Sequence, residues 1–302
     1  MAPRVSLTAR KAPKTQVPVI TSRENHWLKR FRAALSGERG DDGIVGVEGV
    51  RLVEAALGSQ LPVEALLLSD SGARHFFRVA HLVMPGVPVL RTPDKLFAGI
   101  ADTRTPQGIA ALVRPRRATT ENLMHGIPLV VAMLGVQDPG NVGTIVRAAE
   151  ALGATGAATC PAESIGTADP FGPKALRASA GSALRLPIVP GVSATILLAQ
   201  LRMFRVNVYA GVAAGQKFKS ERPNSASSLR NPWEIDWRTS AAILIGNEGT
   251  GLPAEVLRAA DACVCIPQAA ATARVGLESL NAAMSASILL YEAMRQRNAP
   301  QP

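Results

Sequence analysis

LVVAMLGVQDPGNVGTIVRAAEALGA, residues 129–154, decides the fold. Its first six residues are continuously apolar, the mark of a strand buried on both faces of a parallel sheet. A Pro-Gly turn follows, and Asn141 is expected to open a helix over 141–152. Val142, Ile145, Val146 and Leu152 share one broad side of that helix. Strand, turn and helix are the first half of a βαβ unit. Downstream, strands are expected at 156–159, 186–189, 205–210, 241–246 and 263–267. Helices are expected across 171–180, around 193–201 and over 278–297. The last places Leu280, Met284, Ser287, Ile288 and Tyr291 at 3–4 spacing. Residues 211–232, rich in Ser, Asn, Lys, Arg and Gly, read as a mobile excursion.

Upstream lies a smaller alternation. Short strands are expected at 44–49, 63–69, 87–90 and 107–113, with helices at 48–58, 71–83 and 93–100. This is an α/β layer domain of about a hundred residues. RPRRATTENLMHG, 114–126, loses apolar periodicity and reads as a linker. The expected organisation is a basic disordered tail at 1–16, a first unit at 17–114, a linker at 115–126 and a second unit at 127–302.

The 302 residues are 47% hydrophobic but only 4% aromatic, so the core must be built from Ala, Val, Leu and Ile. A collagen-like, disulfide-stapled or wholly disordered chain is excluded. The net charge is +10, and residues 1–40 carry +7 of it, which points to a polyanionic partner. No apolar run approaches the ~18 residues of a membrane span. The first sixteen residues lack the apolar centre of a secretory signal. They read as an RNA-touching tail or, less readily, an organelle transit peptide. Cys160, Cys263 and Cys265 are odd in number and sit in apolar settings, which fits core thiols in a reducing, cytoplasmic compartment. Cys263-Val264-Cys265 lacks a second pair, and the four histidines are scattered, so no metal is expected.

Three constellations carry chemistry. In DPGNVGTIVRAAEALGA, Asn141 stands where it can cap a helix, and Arg147 lies among small apolar residues. Arg147 could reach a surface acid, or grip phosphate or ribose at the carboxyl edge of the sheet. In ILIGNEGTGLP, 243–253, glycines 246, 249 and 251 let a turn approach a ligand, and Glu248 is its one carboxylate. The spacing reverses the dinucleotide fingerprint and lacks the GK[ST] of a phosphate loop. In ESLNAAMSASILLYE, 278–292, Ser279 and Asn281 flank Leu280 at the start of an apolar helix. Capping would occupy one of them and leave the other for a ligand.

In this order the three segments resemble the SpoU (TrmH) family of RNA ribose 2′-O-methyltransferases, within the SPOUT superfamily. The shared elements are N-x-G-x-x-x-R-x-A, G-N-E-G-x-G-L, and I-P…S-L-N with a terminal LLYE, across residues 127–294. ITSRENHWLKRF (20–31), VEGVRLVEAAL (47–57) and TRTPQGIAAL (103–112) are similar to the family's L30e-like substrate-binding domain. TADPFGPKALRASAGSALRLPI (167–188) resembles the family's connecting segment.

The resemblance implies an L30e-like α/β domain followed by a SPOUT α/β-knot, a deep trefoil knot. Strand and helix order alone would have suggested an ordinary doubly wound sheet. It implies S-adenosylmethionine bound against Leu244, Gly246, Ile266 and Leu280, and no metal. It also implies a homodimer with the active site near the subunit interface, and no membrane.

The family resemblance makes Arg147 the leading catalytic residue, expected to act on the 2′-OH or the adjacent phosphate. Arginine keeps its proton in proteins, so a literal general base is excluded. An Arg147 held by Glu248 would instead orient the hydroxyl, with phosphate or water taking the proton. On the same resemblance Asn141 would support the substrate side, while Ser279 and Asn281 would order the motif and contact substrate. Lys29, Arg30, Lys174 and Arg177 are expected to face RNA, with Lys217 and Lys219 as further bases. Thirteen residues separate Ile266 from Leu280, more than family members commonly have, and Gln268 replaces the usual Met. A longer loop over the adenine is therefore expected at 268–277. Ribosomal RNA is the expected substrate, on the analogy of L30e-type modules. Transfer RNA, or a non-catalytic RNA-binding role in ribosome assembly, are the alternatives.

Overall fold

A computed structural model describes residues 18–213, 229–269 and 279–299. The basic tail, most of the 211–232 excursion with Lys217 and Lys219, and nearly all of the 268–277 loop lie outside the described residues.

Two sheets organise the chain. The first contains β1 (Val45–Glu48), β2 (Val63–Ser69), β3 (Val89–Thr92) and β4 (Ile109–Val113), in the order β1-β4-β2-β3. The pairings of β4 are antiparallel, while β2 and β3 run parallel. Helix α1 (His26–Ser36) covers one face with Leu28, Phe31 and Leu35, at the spacing of a helical stripe. Asn25 caps its start, its side chain accepting from the Trp27 amide, and Gly37 ends it in the left-handed region. Helix α2 (Val50–Gly58) covers the opposite face with Leu52, Val53 and Ala56.

Two expectations here are corrected. Residues 71–83 do not form one helix. They make a 3₁₀ turn at Gly72–His75, a single helical turn α3 (Phe76–Val79) and another 3₁₀ turn at Ala80–Leu82. Only Gly72 and Val79 in these turns are buried, so no apolar face supports propagation of a longer helix. The strand expected at 87–90 starts at Val89, because Pro88 has no N–H for the ladder. Helix α4 (Asp94–Ala98) follows where a short helix was expected.

The second sheet is parallel throughout. It is built from β5 (Leu129–Leu134), β6 (Gly156–Cys160), β7 (Ile188–Val189), β8 (Asn207–Val212), β9 (Leu229–Arg230), β10 (Ala241–Ile245) and β11 (Ala262–Cys265). Their order is β7-β6-β5-β10-β8-β11-β9. Helices α5 (Pro139–Ala151) and α9 (Ala282–Asn298) pack on one face over Val131, Met133, Ile243 and Ile245. Helices α7 (Ala194–Met203) and α8 (Ala254–Ala259) pack on the other over Val130, Ala132 and Leu244. The short α6 (Pro173–Ala178) lies against α5.

Three further corrections concern packing. The second half of the linker is docked rather than free. A 3₁₀ turn at Thr120–Leu123 buries Leu123 completely over Gly156, and the Thr120 hydroxyl donates to Gln200 Oε1 at 2.6 Å. Helix α5 begins at Pro139 with Asp138 as its cap, not at Asn141. Helix α9 begins at Ala282, and the stripe Met284, Ile288, Tyr291 faces outward, at 58, 39 and 55% exposure. Its packed side is Ala283, Ala286, Leu289, Leu290 and Ala293. The alanines are small enough to let α9 settle on α5 and the sheet.

Candidate active site

The carboxyl ends of parallel strands are where open α/β sheets take ligands. At that edge the three motif segments converge. Asp138 accepts from the Gly140 amide at 3.0 Å, and Pro139 occupies the first helical position, so α5 starts with its free amides answered. Lys174 also donates to Asp138 at 2.6 Å, and this bond, followed by that from Gly140, holds the Asp138 carboxyl below its ordinary range.

Asn141 then sits in the first turn, half-buried. Its Nδ2 donates to Glu248 Oε1 at 2.9 Å, and its Oδ1 accepts from Asn281 Nδ2 at 3.0 Å. The Oδ1 of Asn281 accepts from the amides of Ala283 and Met284 at 2.8 and 3.2 Å, capping α9. A single hydrogen-bonded line therefore joins one residue from each motif. Ser279 is exposed, just ahead of that cap.

The expected grip of Glu248 on Arg147 is not present. Glu248 accepts from Asn141 and, at 3.4 Å, from the Gln137 amide. Arg147 lies two turns further along α5, exposed, with no hydrogen bond or ion pair to a described residue. Of the two readings of Arg147, the tie to a surface acid is absent among the described residues. What remains is an exposed guanidinium, six residues beyond Asn141 on the same helix and without a partner among the described residues, free to meet an anion.

One residue of the turn carries more than the sequence indicated. Asn247 is buried. Its Oδ1 accepts from the amides of Gly249 and Thr250 at 2.9 and 3.0 Å, and its Nδ2 donates to the Gly135 carbonyl at 2.8 Å. Paired backbone bonds between Asn247 and Gly251 close the turn, and a Cβ at Gly246 would lie 2.5 Å from the Gly251 carbonyl carbon. Asn247 thus ties the end of β10 to the end of β5 and aims Glu248 at α5. An Asn between glycines after a strand was the available signal.

Residues expected near a cofactor occupy adjoining strand ends. Gly246 follows β10, Ile266 follows β11, and both are half-buried, as are Gly211 and Val212 at the end of β8 and Leu280 before α9. This row of small and apolar residues with strand-end backbone fits a nucleoside with a sulfonium-bearing tail. Leu244 differs: its side chain is buried in the α7–α8 core, which leaves only its backbone to this edge. A shallow cavity of about 370 Å³ opens beside the Asn line, bounded by Asn141, Thr144, Asn281, Met284 and Ile288. Among the described residues no cluster of His, Cys, Asp and Glu could hold a metal ion. Cys160, Cys263 and Cys265 are buried free thiols, and burial pushes Cys160 up to about 12.

The four bases expected to face RNA are already paired. Lys29 meets Glu24 at 2.6 Å, and Arg30 meets Asp42 and Glu64 at 2.5 and 2.7 Å. Lys174 meets Asp138, and Arg177 meets Asp102. Arg51, Arg104 and Arg147 are exposed without such partners among the described residues.

The profile of the SpoU rRNA Methylase family matches residues 128–291, and that of the MRM3-like substrate binding domain matches residues 34–111. A 23S rRNA (guanosine(2553)-2′-O)-methyltransferase of Bacillus subtilis is 31% identical over 273 residues, covering 90% of this chain and 97% of its own. The crystal structure of an rRNA methyltransferase from Sinorhizobium meliloti superposes with a TM-score of 0.75 at 30% identity, over 93% of this chain and 98% of that one. The SpoU methyltransferase AviRb from Streptomyces viridochromogenes, solved with the cofactor AdoMet, gives a TM-score of 0.76 at 26% identity, over 92% of this chain and all of that one.

Proposed function

This chain belongs to the SpoU rRNA methylase family, and from that premise we propose that it methylates a ribose 2′-hydroxyl of ribosomal RNA, with S-adenosylmethionine as donor. The observation that carries the reading is the convergence of Asn141, Glu248 and Asn281 at the strand ends that would hold the cofactor, with Arg147 further along α5 and without a partner among the described residues. S-adenosylmethionine would supply an electrophilic methyl group on sulfur. Gly246, Ile266 and Leu280 would hold it, with the backbone of Leu244.

The protein's own part is chiefly positioning, because transfer needs oxygen, methyl carbon and sulfur nearly in line. Arg147 binds the phosphate next to the reacting ribose and stabilises charge growing on the 2′-oxygen. It donates hydrogen bonds throughout, so the departing proton goes to phosphate or water. Asn141, fixed between Glu248 and Asn281, holds the wall against which the ribose rests. Ser279 contacts the substrate from the other side. Arg51 and Arg104 are better placed to attract RNA than Lys29, Arg30, Lys174 and Arg177, whose charges already have partners.

The two sheets support a division into a substrate-binding unit over 17–114 and a catalytic unit over 127–302. A knot in the second unit is supported by β10 entering between β5 and β8 after both are placed, with α9 then returning onto α5. A homodimer is supported by the outward stripe Met284, Ile288, Tyr291, which a second copy would cover beside the Asn line. The bacterial relatives' ribosomal substrates support a cytoplasmic location; no described helix is long and apolar enough to cross a membrane.

The test is to map ribose methylation across ribosomal and transfer RNA from a strain lacking the gene. Recombinant protein with S-adenosylmethionine should restore the missing mark. A missing mark in transfer RNA would move the substrate. No missing mark, with no S-adenosylmethionine binding by calorimetry, would leave a non-catalytic RNA-binding protein.

A further inference from the structure

Helix α6 touches both units at once. On one side it packs so closely on α5 that a Cβ at Gly143 would lie 2.3 Å from the Ala175 carbonyl oxygen. Arg147 stands one turn beyond Gly143 on the same helix. On the other side Arg177, in the last turn of α6, pairs with Asp102 of the first unit. Asp102 sits on the loop between α4 and β4, and that loop is itself gripped. Glu48, at the end of β1 and 8% exposed, accepts from the amides of Asp102 and Thr103 at 2.9 and 3.4 Å and from the Thr103 hydroxyl. At the loop's far end Gln107 Oε1 accepts from the Val50 amide at 2.8 Å.

Two neighbouring contacts cross the same boundary. Arg39 pairs with Asp169 and lies 5.3 Å from the centre of the Phe171 ring. Gly181 lies so close to α2 that a Cβ on it would be 2.5 Å from that of Ala55.

We propose that Glu48, Asp102 and Arg177 form a positioning strut that holds the substrate-binding sheet in one orientation to α5. The ribose delivered by the first unit then meets Arg147 in line. This rests on the methyltransferase reading above. None of the three is a catalytic residue; they act through α6. An exposed ion pair alone contributes little, because ordering two long side chains offsets the attraction. Here the loop carrying Asp102 is bound at both ends, so the acceptor is already ordered when Arg177 arrives. The purpose is alignment, since a displacement of about 1 Å can cost transfer about 100-fold.

The strut differs from an RNA contact in one respect: its charges can be exchanged. Asp102→Arg, Arg177→Asp, the double variant and Glu48→Gln are compared as full-length protein. The substrate is total RNA from a strain lacking the gene, with labelled S-adenosylmethionine as donor. Each single variant should lower kcat by about tenfold, with S-adenosylmethionine affinity unchanged by calorimetry. The double variant should return to within about threefold of the parent. Hydrogen exchange at 101–104 should quicken in Glu48→Gln and Arg177→Asp and return to normal in the double. If Arg177 touches RNA instead, the double stays as impaired as Arg177→Asp, through KM, and the strut is overturned. If the parent neither methylates nor binds S-adenosylmethionine, the methyltransferase reading fails. The strut is then judged by exchange alone, and unaltered exchange in Arg177→Asp overturns it.

Discussion

Asn281 donates to Asn141 across 140 residues of chain, and the polarity of that bond is set at both ends. Glu248 can only accept, so the amide nitrogen of Asn141 must face it. The α9 amides can only donate, so the carbonyl oxygen of Asn281 must face them. One arrangement of hydrogens satisfies the whole line.

That directionality can be tested by reversing one bond. Asn141→Asp places two acceptors face to face and should destabilise the protein by about 1 kcal/mol. Adding Glu248→Gln supplies a donor from the other side and should recover most of the loss. The check is denaturant unfolding of both singles and the double at neutral pH. Strictly additive losses would mean the two side chains do not meet.

Arg147 carries no such line, and its freedom is the basis of the second prediction. Arg147→Ala should lower methylation by at least about 100-fold, with S-adenosylmethionine affinity and thermal midpoint unchanged. Arg147→Lys should remain well below the parent, since a point charge cannot grip phosphate with two parallel bonds. Single-turnover kinetics with saturating cofactor measure both. Undiminished turnover in Arg147→Ala would remove the residue from the reaction.

The readable parts of the fold were those with a strong local signal. β5 and β10 are apolar throughout because both faces are covered, and no helix of five or six residues would compete. α9 misled because large apolar side chains, Met284, Ile288 and Tyr291, stand on its exposed stripe, while its packed side mixes Leu289 and Leu290 with the small Ala283, Ala286 and Ala293. Alanine is chosen there for close approach, which periodicity does not register. The site was legible as motifs but not as pairings. Glu248 and Arg147 looked like partners by charge, yet Asn247 fixes Glu248 toward Asn141, and that is a property of the closed turn. Lys29, Arg30, Lys174 and Arg177 were sensible RNA contacts by charge alone; each turns out to have an acid within reach, mostly far away in sequence.

The cap at the head of α5 gives a pH-dependent prediction. Asp138→Ala should cost about 1 kcal/mol at neutral pH, while Asp138→Asn, which still caps, should cost less. The Lys174 bond lowers the folded-state value of Asp138. Its contribution is therefore complete above the unfolded value near 3.9 and disappears as pH falls through the lower folded one. The stability gap between parent and Asp138→Ala should be constant from about pH 7 to 5 and narrow below about pH 4. Unfolding curves across that range check it. A gap that widens in acid would contradict the sign.

At the opposite end of α9, Arg297 fastens the helix without an acidic partner among the described residues. Its guanidinium donates to the carbonyls of Ile127, Pro128, Trp237 and Thr239 at 2.8 to 3.0 Å. Burial lowers its pKa, but four aligned acceptors answer the charge. These carbonyls belong to the entrances of β5 and β10, so one side chain closes the sheet's lower edge over the last helix. Arg297→Met keeps the apolar stem and leaves those acceptors unanswered, which should cost about 2–3 kcal/mol. Arg297→Lys should recover only part of it, because an ammonium has three donors on one nitrogen and cannot serve four carbonyls spread around a guanidinium's site. Since Asn281 caps the same helix, loosening its far end should also raise the S-adenosylmethionine dissociation constant at the Leu280 edge. Calorimetry at a temperature where Arg297→Met remains folded separates the two effects. Lost stability with unchanged cofactor affinity would show that the ends of α9 are mechanically independent.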